Sequence, residues 1–197
     1  MKRSGRLALC ALLLVAASCG GDQPKAAPAD SALRTVALAK RTGPQGRVPQ
    51  FLVECQFSHF APDDPIVWPN QPGRSHSHTF VGNDSTDAAS TVASLDRAGT
   101  TCKNQLDRAA YWAPTLYDHR KPVVPDKADA YYRPGPMVDP TTIKTYPHGL
   151  KIVSGDHTRS AQPPEVARWS CGTSGERRAT APECPKGRNL RLEVVFP

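Results

Sequence analysis

Long apolar runs are missing from this chain. No stretch reaches the ~18 residues that a membrane-spanning helix needs, which argues against a polytopic helical membrane protein. Uninterrupted helix-compatible sequence is scarce as well. The 197 residues include 20 prolines, about twice average usage, and proline breaks helix interiors. A coiled coil and a helical bundle are therefore excluded. No Gly-x-Ser-x-Gly marks a hydrolase nucleophile elbow, and no phosphate-binding or dinucleotide-binding glycine pattern occurs. Lys and Arg nowhere cluster with interleaved aromatics, so no nucleic-acid partner is expected. There is no internal repeat. What remains is 39% hydrophobic, enough to bury a core and to exclude wholesale disorder.

The N-terminus supplies an address. Lys2, Arg3 and Arg6 precede an apolar stretch from Leu7 to Ala17, too short to span a bilayer and suited to a signal peptide. Ala16-Ala17-Ser18-Cys19-Gly20 resembles a bacterial lipobox, with Ala where Leu is commoner. Residues 1–18 are thus expected to be a lipoprotein signal, and Cys19 the lipidated mature N-terminus. An ordinary secretory signal cut nearby is the rival. Both place the protein outside the cytoplasm, at the membrane or secreted. Removing three basic residues lowers the net charge from +7 to +4, so much of the basicity belongs to the signal.

Residues 19–49 are rich in Ala, Pro, Gly and Gln and predict a flexible tether, with at most a brief helix at Leu33–Lys40. The folded domain is expected over residues 50–197. Its apolar residues alternate: Phe51, Val53, Cys55 and Phe57 near the start, Leu190, Leu192, Val194 and Phe196 near the end. Shorter strands are predicted at Ile66–Trp68, His76–Val81, Ala110–Trp112, Ala130–Arg133, Leu150–Ser154 and Val166–Cys171, with Pro and Gly between them. One short helix is expected, capped by Ser85 or Thr86 and running to Arg97 before Gly99. The fold class is mainly β: a single β-sandwich or jelly-roll-like domain with long Pro/Gly-rich loops.

Four cysteines fall in the expected domain: Cys55, Cys102, Cys171 and Cys184. In an oxidising compartment disulfides are the default. Three connectivities are possible; Cys55–Cys102 with Cys171–Cys184 is the expectation, the second closing a small Gly/Pro-rich loop. A zinc site is the rival, but no Cys-x-x-Cys spacing supports it.

The sharpest chemical feature is His76-Ser77-His78. On an extended strand alternate side chains share a face, about 7 Å apart, and two such imidazoles can converge on one zinc or copper ion. A chance pair that only hydrogen-bonds a loop is the bland alternative. His59 is the first choice for a third ligand. Asp63, Asp64, His148, Asp156 and His157 sit in polar turn sequences as further candidates. A cupin would need Glu four residues after the second His, where Gly82 stands, so that match fails. Asp63-Asp64 could serve acid–base chemistry on a glycoside, but adjacent acids seldom face one site, and turn and cap roles are favoured. Trp68, Tyr111, Trp112, Tyr117, Tyr131, Tyr132, Tyr146 and Trp169 are core or sugar-stacking residues. Asn83-Asp84-Ser85 is a glycosylation sequon for which a bacterial lipoprotein leaves no glycan to expect.

Taken in order, several segments form a pattern: Phe57-Ser58-His59, Asp63-Asp64-Pro65-Ile66-Val67, Gly73-Arg74-Ser75-His76-Ser77-His78-Thr79-Phe80-Val81-Gly82-Asn83, and Thr100-Thr101-Cys102. It continues through Ala110-Tyr111-Trp112-Ala113-Pro114, Tyr131-Tyr132-Arg133, Tyr146-Pro147-His148-Gly149-Leu150, Gly155-Asp156, Trp169-Ser170-Cys171 and Leu192-Glu193-Val194-Val195-Phe196-Pro197. From Phe51 to Pro197 the chain resembles domain of unknown function family 1996. The resemblance implies a secreted domain of actinobacteria and fungi without an established activity. Fungal relatives often carry carbohydrate-binding modules, which implies a polysaccharide or cell-wall context. The family's histidine stretch maps onto His76 and His78. Members usually continue past Phe196-Pro197 with a Cys-Trp-Asp-Gly segment and a further His-containing stretch, so C-terminal truncation is expected, with a cysteine partner absent. The functional expectation is a lipid-anchored envelope binding module with a His-based metal or glycan site and envelope polysaccharide as a partner. A metal- or carboxylate-dependent polysaccharide-active enzyme and a structural envelope protein are the alternatives.

Overall fold

The computed structural model describes residues 50–134, 138, 140–159 and 161–196. The signal at 1–18, Cys19, the tether at 19–49 and the expected helix at Leu33–Lys40 lie outside them. No helix among the described residues is long and apolar enough to cross a membrane.

Among the described residues the chain is mainly β with one short α-helix. In order, the elements are β1 (Phe51–Cys55), β2 (Phe57–Ala61), β3 (His78–Gly82), α1 (Val92–Arg97), β4 (Ala110–Pro114), β5 (Tyr117–Asp118), β6 (Lys121–Pro122), β7 (Ala128–Tyr132), β8 (Ala167–Cys171) and β9 (Leu190–Val194). They form small antiparallel sheets: β1 with β7, β2–β3–β4, the β5–β6 hairpin, and β8 with β9.

The alternating run from Phe51 to Phe57 does not stay in one sheet. It breaks at the exposed Gln56, so β1 pairs with β7 while β2 turns to β3. Thr101 holds the break: the Gln56 amide donates to the Thr101 carbonyl, and the Thr101 hydroxyl donates to the Gln56 carbonyl at 2.6 Å. Next to it, Cys55 and Cys102 form a backbone bridge and a disulfide. Cys171 and Cys184 form the second. The expected connectivity is the one observed.

The two sheets enclose the core in a sandwich-like way. Val53 and Cys55 from β1, Val81 from β3 and Cys102 are buried together. Phe51, Tyr111, Ala128, Ala130 and Tyr132 pack around them. Full burial of a side chain of the Val53 class contributes about 1.5–3 kcal/mol. The Tyr111 hydroxyl donates to Asp107, and the Tyr132 hydroxyl meets it at 2.8 Å, so the buried phenols are satisfied. At the end of β3, Gly82 has φ +83°, and a Cβ there would lie 2.5 Å from the Ala109 carbonyl oxygen. Only glycine fits that corner.

Several expected elements differ. Ile66–Trp68 is a turn, because Asp64 Oδ1 accepts from the amides of Ile66 and Val67 and the Trp68 amide donates to the Asp64 carbonyl. Leu150–Ser154 is irregular. The helix starts at Val92, with Thr91 rather than Ser85 or Thr86 as its cap. Asp87 and Ser90 exchange side-chain hydrogen bonds with their own backbone, giving residues 87–90 an alternative to helix. Thr91 and Ser94 then form a reciprocal capping box.

Candidate functional site

Strand alternation divides β3. Val81 faces the core, so Phe80 and His78 face the other way. On that second face the register aligns His59, Phe80 and Trp112. His59 stacks on Phe80 at 4.7 Å and 6°, and Phe80 meets Trp112 at 5.7 Å. Phe80 is fully buried, so this face carries a second packed layer.

Two adjacent acids tie the loops over that layer. Asp63 Oδ1 accepts from the Gly73 amide and Oδ2 from the Ala88 amide. Asp64 uses Oδ1 in the turn described above, and its Oδ2 accepts from the Trp112 indole at 3.3 Å. Both side chains are buried, at 8% exposure, and both spend their oxygens on donors within the fold. Charge-assisted bonds of this kind are the stronger class. Their role is the turn-and-cap one favoured by the sequence.

His78 is buried at 4% exposure. Its Nδ1–H donates to the Asp63 carbonyl at 2.8 Å. That bond fixes the tautomer and leaves Nε2 as a lone-pair donor with no hydrogen-bond partner among the described residues. Desolvation pushes the His78 pKa below the usual histidine value, outweighing the Asp63 bond, which acts in the opposite direction. Burial thus favours the neutral imidazole. His76 lies outside β3 and is exposed, because the strand begins only at His78. The pair is therefore not the flat strand-borne arrangement of the sequence reading. The rings nevertheless sit 4.4 Å apart, inclined at 54°.

His59 stands apart from this pair chemically. Its Nε2–H donates to the Thr86 carbonyl at 2.8 Å and its Nδ1 accepts from the Ser58 hydroxyl at 2.8 Å. Both nitrogens are occupied. His148 pairs with Asp96 at 3.1 Å. Asp156 caps its own turn through Thr158 and pairs with Arg159 at 3.3 Å. His157 meets the Trp68 ring edge-on at 5.9 Å, while Arg74 lies over that ring at 4.2 Å. Asn83, in the sequon, is wholly buried and donates to the carbonyls of Leu95 and Arg108.

Among the described residues, the one group of three or more His, Cys, Asp or Glu donor atoms within 4.8 Å is Cys55, Cys102 and Asp107. Its cysteines are joined in a disulfide, which takes both sulfurs out of metal chemistry. No third His, Cys, Asp or Glu donor joins His76 and His78 within that distance among the described residues.

Beside it the structure places residues that the sequence reading did not single out. Ser77, Pro114, Thr115 and Arg159 line a groove with His76 and Tyr117. The Ser77 and Thr115 hydroxyls lie 2.9 Å apart, and the Thr115 amide donates to the Ser77 carbonyl. Thr115 meets Ser77 because β3 and β4 pair in register up to His78 and Pro114. Periodicity carries no signal of that pairing, and Arg159 belongs to an irregular segment with none either.

Residues 64–197, more than half of the chain, match the family described as Domain of unknown function (DUF1996). No curated protein and no solved structure matches the chain. The chain belongs to the DUF1996 family.

Proposed function

We propose that this member of the DUF1996 family is an extracytoplasmic binding module that holds one transition-metal ion, zinc or copper, between His76 and His78. The observation that supports it is the state of His78. Metal-binding histidines commonly donate their second ring N–H to a backbone carbonyl, which orients the ring and raises its basicity as a ligand. His78 makes that bond to Asp63 and, among the described residues, keeps Nε2 unpartnered. Its neutral form, favoured by burial, is the form a metal requires. His76 offers the second nitrogen from an adjacent ring. His59 is left out of the set, since both its nitrogens are engaged. Two protein ligands would leave the remaining positions of a four-coordinate ion to water or an outside group.

The same reading takes residues 1–18 as an export signal, Cys19 as the lipid attachment point and residues 19–49 as the tether that presents the module to envelope polysaccharide. Binding is favoured over hydrolysis because Asp63 and Asp64, the adjacent acids, serve backbone amides and the Trp112 indole. Elemental analysis of the purified chain, after dialysis against zinc or copper, tests the proposal. Wild type should retain about one ion per chain. His76→Ala, at an exposed position, should fold normally and lose it, and His78→Ala should lose it too. Equal metal in wild type and folded His76→Ala would overturn the proposal.

A further inference from the structure

The groove beside His76 has a volume of about 320 Å³. That is the small end of ligand-site sizes and suits one ring of a bound chain. Its lining combines hydroxyls, an aromatic ring and a cation. Ser77 and Thr115 supply the hydroxyls, and Thr79 donates to Thr115 from behind at 3.3 Å. Tyr117 presents a ring that is 50% exposed. Arg159 donates through Nε to Asp156, and no second acceptor takes its guanidinium among the described residues. No carboxylate lines the groove among the described residues.

Tyr117 belongs to the β5–β6 hairpin, whose two-residue turn is His119-Arg120. Both residues lie in the left-handed region, with φ 46° and 69°. Turns of this type favour Asn-Gly because other side chains crowd the backbone there. Strain of this sort, kept at a site that glycine would relieve, points to a use for the side chains. His119 pairs with Asp118 at 2.7 Å. Arg120 and the neighbouring Lys121 form no ion pair among the described residues. The hairpin that walls the groove thus carries two exposed cations, one of them opposite Asp118 in register, on a turn built at a steric cost.

We infer that this groove takes one residue of an acidic polysaccharide: a sugar ring bearing a carboxylate or a phosphate. The ring stacks on Tyr117, its hydroxyls meet Ser77 and Thr115, and its acid meets Arg159. Arg120 and Lys121 attract the neighbouring acidic units. The inference rests on the binding-module reading and names its ligand class, without requiring the metal.

Calorimetric titration of the full chain tests it with three probes: an oligogalacturonate, a cello-oligosaccharide phosphorylated on its ring hydroxymethyl groups and a neutral cello-oligosaccharide. One acidic probe should bind at least about tenfold more tightly than the neutral one and weaken as salt rises. Which acidic probe binds separates carboxylate from phosphate recognition. Arg159→Gln and Arg120→Gly should each weaken binding about tenfold. Arg120→Gly should also raise the melting temperature, because glycine accepts the left-handed turn. Weaker binding by a more stable protein separates a ligand role from a structural one. Both arginine variants should keep wild-type metal content, so failure here is distinguishable from failure of the metal site. Equal affinity for neutral and acidic probes, binding of none, or unchanged affinity in both arginine variants would overturn the inference.

Discussion

At the scale of single residues, Asp63 shapes the site through both its side chain and its backbone. Its carboxylate joins Gly73 to Ala88, and its carbonyl orients His78. Asp63→Ala strands two amides and should cost about 2–3 kcal/mol, read as a lower midpoint in urea unfolding. Asp63→Asn retains one acceptor and should recover part of that loss. A midpoint unchanged in Asp63→Ala would refute this role. The residue types at the site were legible: His76, His78, His59 and Asp63 all stand out in the sequence. Their states were not. Whether a histidine nitrogen is free depends on which carbonyl lies 2.8 Å away, and for His59 that carbonyl is Thr86, 27 positions on. No local pattern encodes that distance.

At the scale of elements, β8 and β9 show how charge sets register. Arg168 and Glu193 are direct cross-strand partners. The guanidinium meets both carboxylate oxygens, at 2.9 and 2.6 Å. This fork, with help from Arg177, pulls the Glu193 pKa from its ordinary 4.5 down to about 2. A depressed carboxylate pKa means stability that is fully present above pH 4.5 and lost as pH falls toward 2. Solvent screens a side chain that is 39% exposed, so the pair contributes on the order of 1 kcal/mol. Glu193→Gln should lower stability at neutral pH by about that amount and flatten the acid limb of the stability–pH curve between those two values. Thermal melts of both proteins across that range check it; parallel acid limbs would refute it. Alternation located β1, β4, β7, β8 and β9 to within a few residues. It missed the break at Gln56 and the delayed start of α1, because a Thr101 hydroxyl and an Asp87–Ser90 turn decide those boundaries. Both depend on hydrogen bonds that hydrophobic period does not record.

At the scale of the whole molecule, the small core leaves much of the stability to the covalent links. Closing a loop of 47 residues with Cys55–Cys102 contributes about 4 kcal/mol in the chain-entropy account, and 13 residues with Cys171–Cys184 about 3. The two should differ in accessibility. Cys55 and Cys102 are each 1% exposed, whereas Cys171 and Cys184 are half-buried. Mild reductant should open Cys171–Cys184 first, with Cys55–Cys102 yielding only as the domain unfolds. Thiol alkylation followed by mass spectrometry reads the order, and the reverse order would contradict it. The mainly β class and the Cys171–Cys184 pairing, 13 residues apart, were legible because proline density, strand period and short cysteine spacing are local, whereas Cys55–Cys102, 47 residues apart, was one of three connectivities the sequence allowed. The groove was not, since it needs β3, β4, the β5–β6 hairpin and Arg159 in one place.

The one-residue break at Gln56 has a mechanical consequence. It splices a strand of the core sheet directly onto a strand of the histidine-bearing sheet, and a disulfide locks the splice. Neither sheet can come apart without dragging on its neighbour through a single rigid joint. The amides of Val53 and Phe60, on opposite sides of the joint, should therefore exchange with solvent as one cooperative unit. A ligand bound on the histidine side, as proposed above, would thereby also guard the core.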